Sequence, residues 1–259
     1  MKAVLLCAGY ATRLYPLTKD QPKPLLPLAG KPILDYLFDK LEGIDSVEQI
    51  FLITNDRFFP HFRDWAKSRH DPWEIRVVSD GTSTNETRLG AIGDLAFVVK
   101  KFGVSDDLGV FAGDNLFLFD LKGFMAFAQR CRPCASLGVV NVQQRELASR
   151  YGIVQVNHKG QIVEFIEKPK EPPSTLASTG VYWFPKESLN FLDRYIREGH
   201  NADRPGDYIS WLVQVDRVFA YRFEGLWYDI GDLESYREAE RLIQRGNPPK
   251  KIRKGRNEK

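Results

Sequence analysis

The sequence predicts an α/β fold with a mainly parallel β-sheet, and three observations support this prediction. Short apolar runs alternate with stretches of helical periodicity from the N-terminus to about residue 112. Residues 3–8 and 108–112 are almost wholly apolar, as expected of strands buried on both faces. Such alternation is typical of right-handed βαβ units. Ligands bind these sheets beyond the carboxyl ends of the strands, which is where Gly9 and Asp114 fall.

The length and composition support one large domain with a full hydrophobic core. The chain has 259 residues, of which 43% are hydrophobic. Its net charge of +3 is modest and comes partly from the C-terminal segment, so no nucleic-acid partner is predicted. With neither a signal peptide nor an apolar span of about 18 residues, we expect a cytoplasmic protein with no membrane partner. Cys131 and Cys134 lack the second cysteine pair of a metal site, which favours a structural interpretation.

In the N-terminal half, the strand at residues 3–8 is followed by helices and strands in alternation. Pro32 lies at a favoured first-turn position, and Ile33, Tyr36 and Leu37 follow at helical spacing. The same criteria, applied along the chain, predict helices over residues 32–41, 58–69 and 89–101, and strands over residues 47–54, 74–79 and 108–112.

In the C-terminal half, from Cys134 onward, strands follow one another with few helices between them. Gly160 marks a turn between two strands. The predicted elements are strands over residues 135–142, 152–156, 162–166, 180–184, 217–222 and 226–228, and helices over residues 185–197, 207–213 and 234–245. The last helix is amphipathic, with Tyr236, Ala239, Leu242 and Ile243 on its inner side. Residues 246–259 are basic and lack apolar periodicity, so we expect a flexible tail.

The loop after the first strand combines a glycine with two cations. Gly9 allows a sharp turn with no side chain in the way, so backbone amides can face a phosphate at close range. Arg13 offers a planar fork for phosphate oxygens, and Lys23 offers a compact charge. Pro22 and Pro24 flank Lys23 and fix its backbone. This loop therefore indicates a polyphosphate ligand.

The same loop resembles the signature of the sugar-1-phosphate nucleotidyltransferases, also called NDP-sugar pyrophosphorylases. Their pattern GGxGTRLxPLT…PKPLLP corresponds to AGYATRLYPLT at residues 8–18 and PKPLLP at residues 22–27, with Ala8 and Ala11 where glycine is common. The resemblance extends to about residue 244. It implies a Rossmann-like three-layer sandwich with a mixed, mainly parallel sheet, the nucleotide-diphospho-sugar transferase fold. It also implies one domain over residues 1–245, with a nucleotide-binding half (about 1–115) and a sugar-phosphate-binding half (about 116–245).

The resemblance implies transfer of a nucleotidyl group from a nucleoside triphosphate, with dTTP or UTP favoured, to a sugar 1-phosphate. The implied catalytic residues are Arg13, Lys23 and Lys168. The implied nucleotide-binding residues are Ala8, Gly9, Tyr10, Ala11, Thr12, Asn85 and Gly90. Gly90 belongs to a segment similar to the family's base-binding loop. The amide of Asn85 suits a base edge, although the polar run around it is equally typical of a solvated loop.

Two aspartates occupy positions suited to a metal ion. Asp114 follows an apolar strand, and Asp229 is the acid of a short apolar segment before a helix. Taken alone, Asp114 could form a turn, and Asp229 or Asp232 could cap the helix. By resemblance, Gly113-Asp114 and residues 227–231 match the family's Gly-Asp and Trp-x-Asp-x-Gly motifs. Together they would bind Mg²⁺, which prefers one or two carboxylates alongside phosphates and water.

A second set of positions resembles the family's sugar pocket. Residues 167–169 match its Glu-Lys-Pro motif, in which Glu167 would accept sugar hydroxyls and Lys168 would balance the attacking phosphate. The implied sugar-phosphate-binding residues are Tyr151, Gly152, Glu167, Lys168, Thr179 and Gly180. The glycines would let a pyranose approach the backbone.

Other classes of protein fit the sequence less well. A metal-dependent glycosyltransferase commonly uses Asp-x-Asp, but residues 114–116 read Asp-Asn-Leu. A cytidylyltransferase for a phosphorylated alcohol such as phosphocholine would share the N-terminal loop without needing the sugar motifs. A non-catalytic regulatory module would be expected to lose a metal carboxylate or Lys168. The GxGxxG and GxxxxGK[ST] motifs are absent. A homo-oligomer is possible.

Overall fold

A nine-stranded sheet forms the centre of the computed structural model, which describes residues 1–245. The strands are β1 (Lys2–Leu6), β2 (Pro27–Leu28), β3 (Lys31–Pro32), β4 (Gln49–Thr54), β5 (Glu74–Ser79), β6 (Leu108–Ala112), β7 (Asn115–Phe117), β8 (Ala135–Asn141), β9 (Gly152–Val156), β10 (Ile162–Glu167), β11 (Leu176–Phe184), β12 (Val218–Arg222) and β13 (Trp227–Asp229). The helices are α1 (Ile33–Leu41), α2 (Phe59–Lys67), α3 (Ala91–Phe102), α4 (Lys122–Arg130), α5 (Arg145–Ala148), α6 (Leu189–Arg197), α7 (Pro205–Val215) and α8 (Leu233–Gln244). The tail predicted over residues 246–259 lies outside the described residues.

The sheet is parallel in the N-terminal half of the chain and mixed beyond it. The parallel strands lie in the order β6-β1-β4-β5. β11 joins β6 in antiparallel register and connects this half to β8 and β9. β10 pairs with β9 at one edge, and β12 runs parallel to β8. β7 and β13 form a separate two-stranded ribbon.

Helices cover both faces of the sheet. Along β1, Ala3 and Leu5 face a core formed with α1, α2 and α4, whereas Val4 faces a core formed with α3, α6 and α7. All three side chains are fully buried. A strand that buries both faces reads as a continuous apolar run, which is why β1 and β6 were recognisable in the sequence. The predicted three-layer α/β sandwich with a mixed, mainly parallel sheet is confirmed.

The prediction omitted the elements between residues 113 and 134, and α5. Here the chain forms β7 and α4. Gly123 weakens the intrinsic helix propensity of α4. A Cβ atom there would lie 2.3 Å from the hydroxyl oxygen of Tyr221 on β12. The absence of a side chain at Gly123 therefore makes room for Tyr221. This packing explains why a residue of low helix propensity lies within α4.

The boundaries of several predicted elements were wrong by a few residues. β1 ends at Leu6, before the predicted end at residue 8. α3 begins at Ala91 because Gly90 has a φ of +81°, which a helix cannot accommodate. β11 begins at Leu176 and passes through Gly180, where the pairing register with β8 shifts between Ser178 and Tyr182. The glycine marks an irregularity inside this strand, where the sequence suggested a strand start.

Within residues 1–245, none of the helices combines the length and apolar character needed to cross a bilayer.

Candidate active site

The loop after β1 forms an open backbone surface at the carboxyl edge of the sheet. The position of a hypothetical Cβ on Gly9 has no atom within 4 Å, so this backbone faces free space. Ala11 adopts a left-handed conformation with φ of 46°, and Thr12 then starts a short 3-10 turn. The hydroxyl of Thr18 donates to the carbonyl of Ala11 at 2.8 Å and fixes this turn. The family's usual glycine would adopt the Ala11 conformation with less strain.

Lys23 and Asp114 form an ion pair at the floor of this loop. Lys23 lies in a 3-10 turn and is 5% exposed, while Asp114 lies between β6 and β7. The Nζ atom of Lys23 is 2.8 Å from Oδ2 of Asp114. A buried lysine needs such a partner. The structure thus brings together a predicted phosphate-binding cation and a predicted metal-binding carboxylate.

The β7–β13 ribbon brings Asp229 to the same place. Asp229 pairs with Asn115, the residue that follows Asp114. The pKa of Asp229 is raised, first by burial and next by the negative charge of Asp114. Lys23, Arg13 and Lys168 act in the opposite direction. Two residues 115 positions apart in sequence therefore place their carboxylates within electrostatic reach of one another.

This carboxylate pair suits a magnesium ion. Two crowded carboxylates, one buried enough for its pKa to rise, are the arrangement that a divalent cation stabilises. Within residues 1–245, no group of three or more His, Cys, Asp or Glu side chains is arranged to bind a metal ion. A two-carboxylate site matches Mg²⁺, which takes its remaining ligands from phosphates and water.

Asp232 has a structural role. Its carboxylate accepts a hydrogen bond from the amide of Ser235 at 2.8 Å and caps α8. The Ser235 hydrogen bonds lower the pKa of Asp232, as expected of a charged helix cap. Of the two aspartates that could have capped this helix, Asp232 is the cap, and Asp229 faces the predicted site.

Two cavities flank this carboxylate pair. The first, here called the loop pocket, has a volume of about 210 Å³ and is lined by residues that include Gly9, Ala11, Arg13, Lys23, Asp114 and Gly231. The second, here called the sheet pocket, has a volume of about 230 Å³ and is lined by residues that include Asn115, Tyr151, Gly152, Glu167, Lys168 and Asp229. Asp114 and its neighbour Asn115 line different pockets, so the two cavities share a wall.

Glu167 and Lys168 lie at the end of β10, within the sheet pocket. Burial raises the pKa of Glu167, and the charge of Lys168 partly opposes this rise. The two charged groups are 3.9 Å apart, and the side chain of Lys168 is 58% exposed. Lys168 adopts a φ of +48°, which redirects the chain where β10 ends. The lysine can therefore reach a ligand in the pocket while Glu167 forms part of the wall.

Gly152 and Gly206 pack closely around Glu167. A Cβ on Gly152 would lie 2.4 Å from the Phe165 ring and 3.0 Å from Oε2 of Glu167. A Cβ on Gly206 would lie 2.5 Å from the same carboxylate oxygen. Both glycines give room to neighbouring protein side chains, and Gly152 also lines the sheet pocket. The absence of a side chain at Gly152 and Gly206 leaves the space that the Glu167 carboxylate occupies.

Tyr151 forms an aromatic wall with Trp227. Their ring centroids are 4.8 Å apart with an interplanar angle of 59°. Burial and the charge of Asp229 raise the pKa of Tyr151. Aromatic rings next to polar groups are suited to the apolar faces and hydroxyls of a sugar.

Two predicted contact residues have their side chains in the protein interior. Thr179 is fully buried, and its hydroxyl donates to the carbonyl of Gly138 at 2.9 Å, so this side chain does not line the sheet pocket. Tyr10 is 5% exposed and packs near Phe58, with ring centroids 6.3 Å apart. Thr179 therefore has no exposed surface for a ligand to contact, and Tyr10 has only a small exposed fraction.

Asn85 and Gly90 of the predicted base-binding segment, and Ala8 of the loop after β1, are not among the residues that line the two pockets. Asn85 is exposed, and its carbonyl accepts a hydrogen bond from Arg88 at 2.7 Å. Gly90 precedes α3 and is packed against the backbone of Asp203. Ala8 is 8% exposed, and its carbonyl accepts a hydrogen bond from Asn55. The residues gathered around the two pockets are thus Gly9, Ala11, Arg13, Lys23, Asp114, Tyr151, Gly152, Glu167, Lys168, Gly180 and Asp229.

The structure adds residues that the sequence reasoning missed. Arg204, Asn115, Tyr182 and Trp227 also line the sheet pocket. The Nε atom of Arg204 donates to Asp207 at 3.1 Å, which holds the guanidinium beside the pocket. Residues 204–206 read Arg-Pro-Gly, a pattern typical of a turn before a helix, and only the fold places this turn opposite Glu167.

Comparison with known proteins identifies the relatives of this chain. A model of the nucleotidyl transferase family matches residues 2–246. A protein of Sulfolobus acidocaldarius, provisionally named as a mannose-1-phosphate guanyltransferase, is 34% identical over 91% of this chain and 61% of its own length. The UTP–glucose-1-phosphate uridylyltransferase AglF of Haloferax volcanii is 32% identical over 94% of this chain and 97% of its own length.

The first of these relatives is longer than this chain, as are the archaeal GlmU proteins. The chain spans 51% of the bifunctional protein GlmU of Methanocaldococcus jannaschii, with 29% identity. Among solved structures, UDP-glucose pyrophosphorylase complexed with UDP-glucose matches with a TM-score of 0.80 and 21% identity, over 95% of this chain and 99% of the other. At this identity the likeness shows a shared fold.

Proposed function

Because the chain belongs to the nucleotidyl transferase family, we propose that it joins a nucleoside triphosphate to a sugar 1-phosphate, giving an NDP-sugar and pyrophosphate. A phosphate oxygen of the sugar attacks the α-phosphorus, the bond from the α-phosphorus to the bridging oxygen breaks, and pyrophosphate leaves on the opposite side. Both reactants are anionic, so catalysis requires charge neutralisation and in-line positioning.

The proposal is supported above all by the position of the two aspartates, because Asp114 lines the loop pocket and Asp229 lines the sheet pocket. The loop pocket presents Arg13, Lys23 and open backbone, which suits a triphosphate. The sheet pocket presents Lys168, Glu167 and an aromatic wall, which suits a sugar phosphate. A nucleophile in one pocket and an electrophile in the other would meet where Asp114 and Asp229 lie.

Each half of the chain supplies one substrate site in this proposal. About residues 1–115 bind the nucleotide through Gly9, Ala11 and Arg13. The backbone of Ala8, Tyr10 and Thr12 completes this loop. About residues 116–245 bind the sugar phosphate through Tyr151, Glu167 and Lys168, aided by the backbone at Gly180.

Asp114 and Asp229 would hold Mg²⁺ through their carboxylates. When bound, this ion supplies neutralisation of the phosphate charge. Lys23 is paired with Asp114, and it would turn toward the phosphates once they are present. The guanidinium group of Arg13 would bind phosphate oxygens throughout the reaction.

The choice of base is a finer part of the proposal. We favour UTP or dTTP, because the uridylyltransferase relative matches almost over its full length. Asn85 and Gly90 belong to the segment that would reach the base. The guanyltransferase relative makes GTP the main competing substrate.

A pyrophosphate-release assay tests the proposal. It crosses UTP, dTTP, GTP, ATP and CTP with glucose, mannose and N-acetylglucosamine 1-phosphates, with and without Mg²⁺, and includes phosphocholine as an alternative acceptor. The expected result is release that needs both a sugar 1-phosphate and Mg²⁺, with the NDP-sugar detected by mass spectrometry. Release with phosphocholine alone would support a different transferase, and hydrolysis without an acceptor product would contradict the proposal.

A further inference from the structure

Lys23 and Asp114 are each other's partner across 91 positions of sequence. The Nζ atom of Lys23 donates to Oδ2 of Asp114 at 2.8 Å. Within residues 1–245, this is the one hydrogen bond that either side chain makes to the protein. The Lys23 side chain is 6% exposed, so solvent does little to neutralise its charge. Asp114 is therefore the counter-ion of a buried lysine.

The backbone around Lys23 leaves only its side chain able to move. Lys23 lies in a 3-10 turn between Pro22 and Pro24, and the amide of Leu26 donates to its carbonyl at 3.0 Å. The two prolines fix φ at the positions that flank Lys23. If the ammonium group exchanges Asp114 for another partner, the exchange must come from rotation of the Lys23 side chain.

Two cations line the loop pocket, and they differ in how a phosphate can reach them. Arg13 is exposed, whereas Lys23 is buried and paired with Asp114. A phosphate can meet Arg13 from solvent, but it must compete with Asp114 for Lys23. Phosphate oxygens in the loop pocket would offer Lys23 the same kind of charge-assisted hydrogen bond that Asp114 accepts.

The carboxylate of Asp114 is also the proposed ligand of Mg²⁺, so an ammonium ion and a metal ion compete for it. With Lys23 at 2.8 Å, a divalent cation on Asp114 would lie beside a like charge. Asp229 is within electrostatic reach of the same ammonium group, so Lys23 weakens the attraction of both carboxylates for a cation. Mg²⁺ gives up its water reluctantly and usually enters protein sites with substrate phosphates. A phosphate that draws Lys23 away would remove this opposition.

We infer that Lys23 excludes free Mg²⁺ from Asp114, so that the metal enters the site together with a nucleoside triphosphate. The inference rests on the proposed function, because it requires phosphates in the loop pocket and a metal ion on Asp114. Triphosphate oxygens accept the Lys23 ammonium group, the side chain rotates, and the Asp114 carboxylate becomes available. Binding of the triphosphate and of the metal is thereby coupled, and the coupling is reciprocal.

Manganese binding tests the exclusion directly, since Mn²⁺ takes the same oxygen ligands as Mg²⁺. The electron paramagnetic resonance signal of unbound Mn²⁺ is followed during titration of each protein, with no nucleotide present. Lys23→Met should bind one Mn²⁺ ion about tenfold or more tightly than wild type, because the like charge is gone. The double variant Lys23→Met, Asp114→Asn should lose this gain, which would place the ion at Asp114.

Two further variants keep the test specific. Lys2→Met removes a lysine that pairs with Glu48 at 3.2 Å, outside both pockets, and should bind Mn²⁺ as weakly as wild type. Lys23→Gln removes the charge of Lys23 but keeps a hydrogen-bond donor for Asp114, so it replaces Lys23→Met if that variant does not fold. Mn²⁺ should raise the melting temperature of Lys23→Gln more than that of wild type, because tighter binding stabilises the folded state more.

The outcomes separate this inference from the proposed function. A wild-type protein that makes no NDP-sugar in the pyrophosphate-release assay contradicts the proposed function. An active wild-type protein that binds free Mn²⁺ as tightly as Lys23→Met or Lys23→Gln contradicts this inference alone. A gain in affinity that survives Asp114→Asn also contradicts it, because the ion would then lie elsewhere.

Discussion

Asp114 and Asp229 are neighbours because β7 and β13 pair, and each should be essential for turnover. Asp114→Asn and Asp229→Asn remove one charge each with little change of shape. We expect kcat to fall on the order of 10²-fold or more for each variant, the loss typical of a removed electrostatic group. Steady-state rates and thermal unfolding of each variant provide the measurement.

The matched control for this pair is Asp193→Asn, which removes an exposed carboxylate that pairs with Arg197 on α6. It should retain wild-type turnover. The burial of Asp229 already raises its pKa, so neutralising it should not lower the melting temperature appreciably. If either active-site variant keeps near-normal turnover, the metal assignment is wrong.

Lys168 should act mainly on the sugar phosphate. Its side chain is exposed toward the sheet pocket, and it adopts a left-handed backbone that alanine tolerates about as well. Lys168→Ala should therefore fold normally and raise the KM for the sugar 1-phosphate by about tenfold or more, as expected for a lost charge-assisted hydrogen bond. The KM for the triphosphate should change little.

Initial-rate kinetics with each substrate varied in turn checks this prediction. Lys170→Ala, two positions away and outside the sheet pocket, serves as the control. An unchanged dependence on the sugar 1-phosphate in Lys168→Ala would contradict the assigned role.

Gly206 should be needed to position Glu167. Gly206→Ala places a methyl group 2.5 Å from Oε2 of Glu167 and 2.8 Å from the Phe165 ring. Since a small misplacement of a substrate-positioning group is costly, kcat/KM for the sugar 1-phosphate should fall by about tenfold or more. Gly43→Ala is the control, because there the methyl group meets only the flexible end of Lys122. Equal activity of the two variants would show that Glu167 does not need its observed position.

At the scale of secondary structure, α3 carries a buried acid whose proton links folding to pH. Asp94, in its first turn, is 4% exposed. Burial, followed by the neighbouring Asp80, raises the pKa of Asp94 to about 8. An unfolded aspartate has a pKa of about 3.9. Between about pH 4 and about pH 8 the folded protein keeps a proton that the unfolded chain releases, so stability falls as the pH rises.

Asp94→Asn should remove most of this pH dependence. Titration of Asp94 alone should lower the wild-type free energy of unfolding by up to about 1.4 kcal/mol per pH unit. The Asp94→Asn variant lacks this group, so its stability relative to wild type should increase between about pH 4 and about pH 8. Urea unfolding at about pH 5 and about pH 7.5 measures the difference. Parallel pH profiles for the two proteins would contradict the raised pKa.

The elements that the sequence predicted well are those with one dominant local signal. β1, β4 and β6 bury both faces and read as continuous apolar runs. The start of β11 and the whole of α4 were missed because Gly180 and Gly123 have tertiary roles that local patterns cannot reveal. Gly123 admits Tyr221 of β12, and Gly180 adopts a φ of +76° inside the strand.

For the molecule as a whole, the sequence predicted the residues at the carboxyl ends of β1 and β6 better than the residues that pack around them. Gly9 and Asp114 follow β1 and β6, adjacent parallel strands whose carboxyl ends meet, so their convergence was predictable from topology. The contribution of Arg204 was not, since it depends on how the loop before α7 packs against β10. Thr179 was assigned to the sugar pocket, but the fold buries it. Such packing is determined by contacts distant in sequence.

In the proposed reaction, one reactant occupies each pocket, and the two reactants meet at Asp114 and Asp229. A crystal structure of the protein with its own NDP-sugar product tests this most directly. We expect the nucleotide phosphates beside Arg13 and Lys23 in the loop pocket, the pyranose beside Glu167 and Tyr151 in the sheet pocket, and the diphosphate between the two aspartates. A product bound in any other cavity, or a diphosphate remote from both aspartates, would contradict it.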